Sequence, residues 1–181
     1  HDAHTAMLLG AAKLLAAHKE RLPFPVRFYF QPAEEVTGGG AEKMLAERRF
    51  QGVGAVYGLH VNPMLATGCL GLRSGPLMAS MDRFEILVSG AGGHGAMPHL
   101  TRDPIVAAAG IILALQTVVS RRLDPLDSAV VSVCQVEAGS AFNAIPSTAR
   151  LIGTARSISP AVRDRLPQWI EEIAAGVAAA H

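Results

Sequence analysis

Twice in the second half of the chain a helix-capping side chain stands directly before proline, at Asp103-Pro104 and at Ser159-Pro160. An acid or hydroxyl at the N-cap accepts free amide protons, and proline fits the first helical position because its missing N–H has no partner there anyway. Helices are therefore expected from 104 to about Ser120 and from 160 toward the C-terminus. Before the first of them, Phe84, Ile86 and Val88 alternate with Arg83, Glu85 and Ser89, the period of a half-buried strand. Two further strands are expected at 128–137 and 147–156, with loops at 90–101 and 138–146. The order after Gly75 is β-α-β-β-α, a ferredoxin-like split βαβ unit lacking its last strand.

The first part of the chain has a different pattern. Residues 6–18 read as a largely buried helix, and 26–30, 55–61 and 67–73 as apolar strands around a short helix at 41–49. Strand–helix–strand order implies parallel neighbours with a right-handed crossover. Ser74-Gly75-Pro76 marks the boundary. The fold class is thus α/β, with one domain over 1–75 and the ferredoxin-like unit over 76–181.

The chemistry centres on Gln31-Pro32-Ala33-Glu34-Glu35-Val36-Thr37-Gly38-Gly39-Gly40. A strand stops at proline, two acids enter a turn, and a glycine run folds the backbone sharply. In α/β sheets ligands bind past the carboxyl ends of strands. Side chains adjacent on extended backbone point to opposite sides, so Glu34 and Glu35 can hold different tasks. His60 closes the next strand, and His1 and His4, three apart, share one side of a helix start. Each residue alone reads most simply as a solvated or structural polar group; their convergence on one edge is what suggests a metal site. Carboxylate and imidazole ligands without a cysteine cluster suit Zn, Mn, Co or Ni.

Composition removes other classes. Of 181 residues, 50% are hydrophobic and 17% charged, so a sizeable core is expected. A net charge of +1 without a basic stripe argues against nucleic acid. The apolar run 105–119 is too short for a bilayer, so no membrane association is expected. Cys69 and Cys134 lie far apart in strand-like runs and are expected as buried free thiols of a cytoplasmic protein. The glycine run lacks the Gly-Lys-Ser/Thr ending of a phosphate loop, and there is no Gly-x-Ser-x-Gly elbow.

His1-Asp2-Ala3-His4-Thr5-Ala6-Met7, Gln31-Pro32-Ala33-Glu34-Glu35, Gly58-Leu59-His60, Gly92-Gly93-His94-Gly95-Ala96-Met97-Pro98-His99, Phe142-Asn143-Ala144-Ile145-Pro146 and Gly153-Thr154-Ala155-Arg156 together resemble the metal-dependent amidohydrolases. That family includes hippurate hydrolase, N-acyl-amino-acid hydrolases and indole-acetyl-amino-acid hydrolases, relatives of carboxypeptidase G and aminoacylase. The resemblance implies divalent metal ions, two per complete subunit, with His1, Glu35 and His60 among the ligands. It implies Glu34 as the general base that deprotonates the attacking water and passes the proton to the leaving amine. It implies that 1–75 is part of a zinc-peptidase-like catalytic domain and 76–181 a lid domain whose His94 reaches into a partner subunit's site to steady the oxyanion, while Asn143 and Arg156 hold the substrate's carboxylate or carbonyl. Asp2 and His4 are expected to support the ligands. The implied reaction is hydrolysis of the amide bond of a small-molecule N-acyl amino acid by a homodimer or homotetramer assembled through the lid. A dipeptidase or aminopeptidase, and a non-catalytic dimerisation or binding module, are the competing readings. The family's preceding Cys and its C-terminal metal-binding His lie outside these residues. The chain is accordingly expected to be an excerpt that by itself binds metal weakly and is inactive.

Overall fold

The computed structural model describes residues 1–36 and 38–181. It has a mixed α/β fold and divides into two compact units, His1–Gly71 and Leu72–His181.

In the first unit, α1 spans Asp2–Ala17 and is followed by a single 3-10 turn, Lys19–Arg21. Helix α2 spans Gly40–Ala46, shorter than the expected 41–49, because Glu47 ends it and Arg48 turns into the left-handed region at φ 55. The apolar runs 26–30, 55–61 and 67–73 do not form strands: among the described residues none of them enters a sheet. A strand needs a neighbour for its backbone ladder, and what this run contacts it reaches with side chains instead. Arg27 Nη1 donates to Gln51 O at 3.0 Å, Tyr29 Oη donates to Arg49 O at 2.7 Å, and the Tyr29 ring stacks on Phe50 with centroids 4.4 Å apart. The parallel pairing inferred from strand–helix–strand order is therefore corrected. So is the buried reading of the first helix: α1 buries none of its residues, Leu14 being 68% exposed.

The second unit holds the core. Strand β1 is Asp82–Ser89, β2 is Gly93–His94, α3 is Pro104–Thr117, β3 is Ala129–Ala138, β4 is Ala144–Ile145, β5 is Thr148–Ser157 and α4 is Pro160–Ala179. Both capped prolines act as read. Asp103 accepts from Ile105 N at 2.8 Å, and Ser159 Oγ accepts from Val162 N at 3.5 Å. The main sheet has the order β1-β5-β3, all neighbours antiparallel, so β5 lies between the two parallel strands of a split βαβ unit. The expected loops 90–101 and 138–146 contain the two-residue ladder β2–β4.

Helices α3 and α4 cover one face of this sheet. Ile111, Leu115 and Val118 of α3 meet Val88, Leu151 and Ala155 from the strands and Leu166, Trp169 and Ile170 of α4. Gly153 at the centre of β5 is required by close approach: a Cβ there would lie 2.2 Å from Phe84 Cζ and 2.3 Å from Ser132 O. The opposite face carries an ion-pair network among apolar residues such as Leu87 and Ile152. Arg150 forks onto Glu85 through Nε (2.6 Å) and Nη2 (2.9 Å) and reaches Glu137 through Nη1 (3.0 Å), spanning all three strands.

Two expectations change here. A π-helical turn, Val118–Arg122, prolongs α3 into a 19-residue helix that is long and apolar enough to cross a bilayer by length and composition. Pro104, Ala107, Ala108, Ile111, Leu115 and Val118 along it are buried against the sheet and α4, so it is built as the core helix of this unit. Both cysteines are free but exposed, not buried. Cys134 is the extra residue of a β-bulge between Val133 and Gln135, and alternation from the buried Val131 puts it on the open face of the sheet.

Candidate metal centre

The acid turn is closed by its own backbone. Gly40 N donates to Pro32 O at 3.0 Å, bringing both ends of the loop together. Glycine is needed at this closure, because a Cβ on Gly39 would lie 2.1 Å from Ala33 O and one on Gly40 2.1 Å from Pro32 O. Ala33, just before the acids, is held at φ 50, a left-handed conformation unfavourable for a residue with a Cβ. Thr37, within the same stretch, lies outside the described residues.

Because Glu34 and Glu35 sit on a turn, their side chains do not diverge as extended backbone predicts. Glu34 Oε2 and Glu35 Oε1 both lie 3.4 Å from His1 Nε2. One nitrogen and two carboxylate oxygens fall within 4.8 Å of one another, all exposed. That donor set fits a borderline divalent ion such as Zn, Mn, Co or Ni.

His60 is not among these converging donors; a chain of rings connects it to them. His1, the N-cap of α1, and His4 in its first turn have ring centroids 5.3 Å apart, and the His4 ring lies 4.4 Å from that of His60. His60 Nδ1 lies 2.7 Å from Val61 O, and a carbonyl can only accept, so Nδ1 carries the proton. Its Nε2 lone pair is thereby left for a ligand. Sequence reasoning names His4 only as a support; it does not foresee that Val61 N donates to His4 Nε2 at 3.1 Å. No side-chain pattern signals a backbone partner, so Val61 was invisible.

The remaining candidates belong to the second unit. His94 lies in β2, where it pairs with Ala144 of β4, and Gly95 N donates to Asn143 O at 2.8 Å. The ladder thus places the backbones of His94 and Asn143 one register step apart. His94 Nδ1 accepts from Ala96 N at 3.1 Å, so the neutral ring carries its proton on Nε2, as an outward donor. Arg156 is exposed on β5 opposite Val130 and has no ion-pair partner among the described residues. The other arginine–carboxylate contacts of this unit are structural: Arg163 binds Asp82 bidentately, at 2.7 and 2.8 Å, and holds its carboxyl below the ordinary range.

Carboxylate oxygens and an imidazole converging on one ion-sized gap, on an α/β chain that also carries a split βαβ unit, mark a metallopeptidase type of protein. The chain belongs to peptidase family M20/M25/M40, whose model matches residues 1–180. It is 45% identical over 181 residues to N-acetylcysteine deacetylase of Bacillus subtilis, covering 100% of this chain and 47% of that protein. It is 49% identical over 173 residues to IAA-amino acid hydrolase ILR1-like 5 of Arabidopsis thaliana, covering 96% of this chain and 40% of that one. Among solved structures, the Bacillus subtilis YXEP protein, a dinuclear metal binding peptidase from the M20 family, superposes with a TM-score of 0.79 at 40% identity. That match covers 99% of this chain and 44% of YXEP. The chain spans about half the length, or less, of the curated relatives it matches.

Proposed function

We propose that the enzyme containing these residues hydrolyses the amide bond of N-acyl amino acids, hippurate-like substrates included, to a carboxylic acid and a free amino acid. The observation that carries this is the approach of both Glu34 and Glu35 to the His1 imidazole at 3.4 Å. Relatives named for N-acetylcysteine, N-acyl-L-amino acids and IAA-amino acids, at 45–49% identity, support the substrate class.

His1, Glu35 and His60 are the residues we assign to hold divalent metal, two ions in the complete subunit. Metal bound there supplies acidification of a water molecule and polarisation of the acyl carbonyl. Glu34, beside Glu35 on the same turn, takes the proton from the attacking water and delivers it to the departing amine nitrogen. His94 donates through Nε2 to the oxygen on which charge develops. Asn143 donates to the substrate's polar end, and Arg156, uncommitted and exposed, pairs with its carboxylate through the guanidinium fork.

We assign residues 76–181, within the second compact unit, the role of lid and dimerisation domain, giving a homodimer or homotetramer. The free edge of β3 and the outward residues Val106 and Leu113 of α3, 51% and 74% exposed, suit such a contact. On the other side, the free edge of β1 borders a groove of about 530 Å³ lined by Phe84, Ile86, Leu166 and Ile170. We read it as the seat of the strand that completes the ferredoxin-like unit. Two free thiols are consistent with a cytoplasmic setting.

Turnover of benzoyl-, acetyl- and indole-acetyl-amino acids beside dipeptides tests the substrate class, with Glu34→Gln as the control. Loss of a general base is expected to lower kcat by roughly 10²- to 10⁴-fold while bound metal stays stoichiometric. Near-normal turnover by the variant removes Glu34 from the role of base. Preference for dipeptides moves the enzyme to a different member activity of its family.

A further inference from the structure

His-x-x-His at a helix start invites the reading that both imidazoles hold metal, but their bonding separates them. His4 is half-buried while His1 and His60 are exposed. Its Nε2 lone pair is occupied by the Val61 amide at 3.1 Å, and the neutral ring then carries its proton on Nδ1. No lone pair of His4 remains for a cation. The same residue, Val61, is held at its other end: its carbonyl accepts from His60 Nδ1 at 2.7 Å. The two rings that grip Val61 also touch each other, with centroids 4.4 Å apart and planes tilted by 56°. Val61 is thus fixed on both sides by imidazoles, and the His60 ring has one face against His4.

We propose that His4 is a positioning residue: by accepting the Val61 amide proton and packing on the His60 ring, it holds His60 in the Nδ1–H tautomer, with Nε2 bare. The tautomer claim stands on the hydrogen bonds alone; its consequence for metal binding rests on the reading of His60 as a ligand. Partners that orient metal-binding imidazoles typically change affinity by about 10- to 100-fold when removed. His4 differs from the usual carboxylate orienter in acting through a backbone residue that both rings share.

The test uses the whole chain, free of metal, with nitrogen-15-labelled histidine. Long-range proton–nitrogen correlation spectra report which ring nitrogen of His60 carries hydrogen. The wild type is expected to show Nδ1–H at His60. His4→Leu, which removes the acceptor, is expected to give a mixture of tautomers at His60 and to weaken Co(II) binding by about 10- to 100-fold. His4→Gln, whose amide oxygen can accept from Val61 N, is expected to recover part of both. An unchanged His60 tautomer in both variants overturns the proposal, as does equal loss in Leu and Gln variants. Nδ1–H at His60 that depends on His4, with Co(II) affinity unchanged by His4→Leu, upholds the positioning role and sinks the assignment of His60 as a metal ligand instead.

Discussion

Ala33 is a small residue in an unfavourable place. Its φ of 50 puts a Cβ where left-handed backbone costs about 1–2 kcal/mol, directly ahead of the two acids. The neighbouring closure at Gly39 and Gly40 tolerates no Cβ at all, since each would sit 2.1 Å from a carbonyl oxygen. The turn is therefore wound tightly enough to aim Glu34 and Glu35 at one imidazole. Two substitutions separate these effects. Ala33→Gly should relieve the strain and leave metal affinity near wild type. Gly40→Ala should push Pro32 away, open the turn and weaken metal binding at least about tenfold, as overpacking by one methyl costs about 1–3 kcal/mol. Calorimetric titration with Co(II) reads both; equal affinity in Gly40→Ala and wild type would mean that the closure does not aim the acids.

Among the strands and helices, the open face of the β1-β5-β3 sheet carries the electrostatics. Arg150 stands opposite Glu137 and diagonal to Glu85, and its hydrogen bonds, with help from Arg83, lower the Glu85 carboxyl below its ordinary range. Arg163 of α4 does the same to Asp82 at the start of β1. A carboxyl lowered in the folded state contributes stability that is present above its unfolded pKa, about 4, and is lost as pH falls through the folded value. Melting temperatures should thus hold steady above about pH 5 and fall on further acidification, with a shallower fall in Glu85→Gln. Equal slopes for the two proteins between pH 5 and 3 would show that the network adds nothing to stability. These pairs are exposed, so the effect should also shrink in high salt.

Across the whole chain, burial is distributed unevenly. Every buried hydrophobic residue of the core, from Val88 to Ala174, lies in the second unit, whereas Tyr57 and Phe24 of the first are 93% and 75% exposed. Burying apolar side chains is the main force offsetting chain entropy, so the second unit has the means to fold alone and the first does not. Residues 72–181 expressed separately should unfold in urea as one cooperative transition. Residues 1–71 should show no transition of their own and poorly dispersed amide resonances. A cooperative melt of the 1–71 segment would refute this division.

Much of this was readable before any coordinates. Helix starts at Asp103-Pro104 and Ser159-Pro160, the alternation of Phe84, Ile86 and Val88, and the turn at the glycine run depend on residues within a few positions of each other. Local sterics and capping decide them, and strand order in the split βαβ unit then follows from how few ways such elements pack. The contacts that make the candidate site were not readable in this way. The gathering of Glu34 and Glu35 about His1 is expected, but not the turn that aims both at one nitrogen; the grip of His4 and His60 on Val61 and the ladder pairing His94 with Ala144 likewise bring together positions far apart in the chain. Whether 26–30 is a strand depends on a neighbour pairing with its backbone, and here no sheet includes it; only the side chains of Arg27 and Tyr29 reach 49–51. Likewise the bulge at Cys134 and the π-helical turn after Thr117 arise from fitting a sheet and two helices around one core. Short-range chemistry writes the elements; pairing and packing over long separations place their side chains against one another.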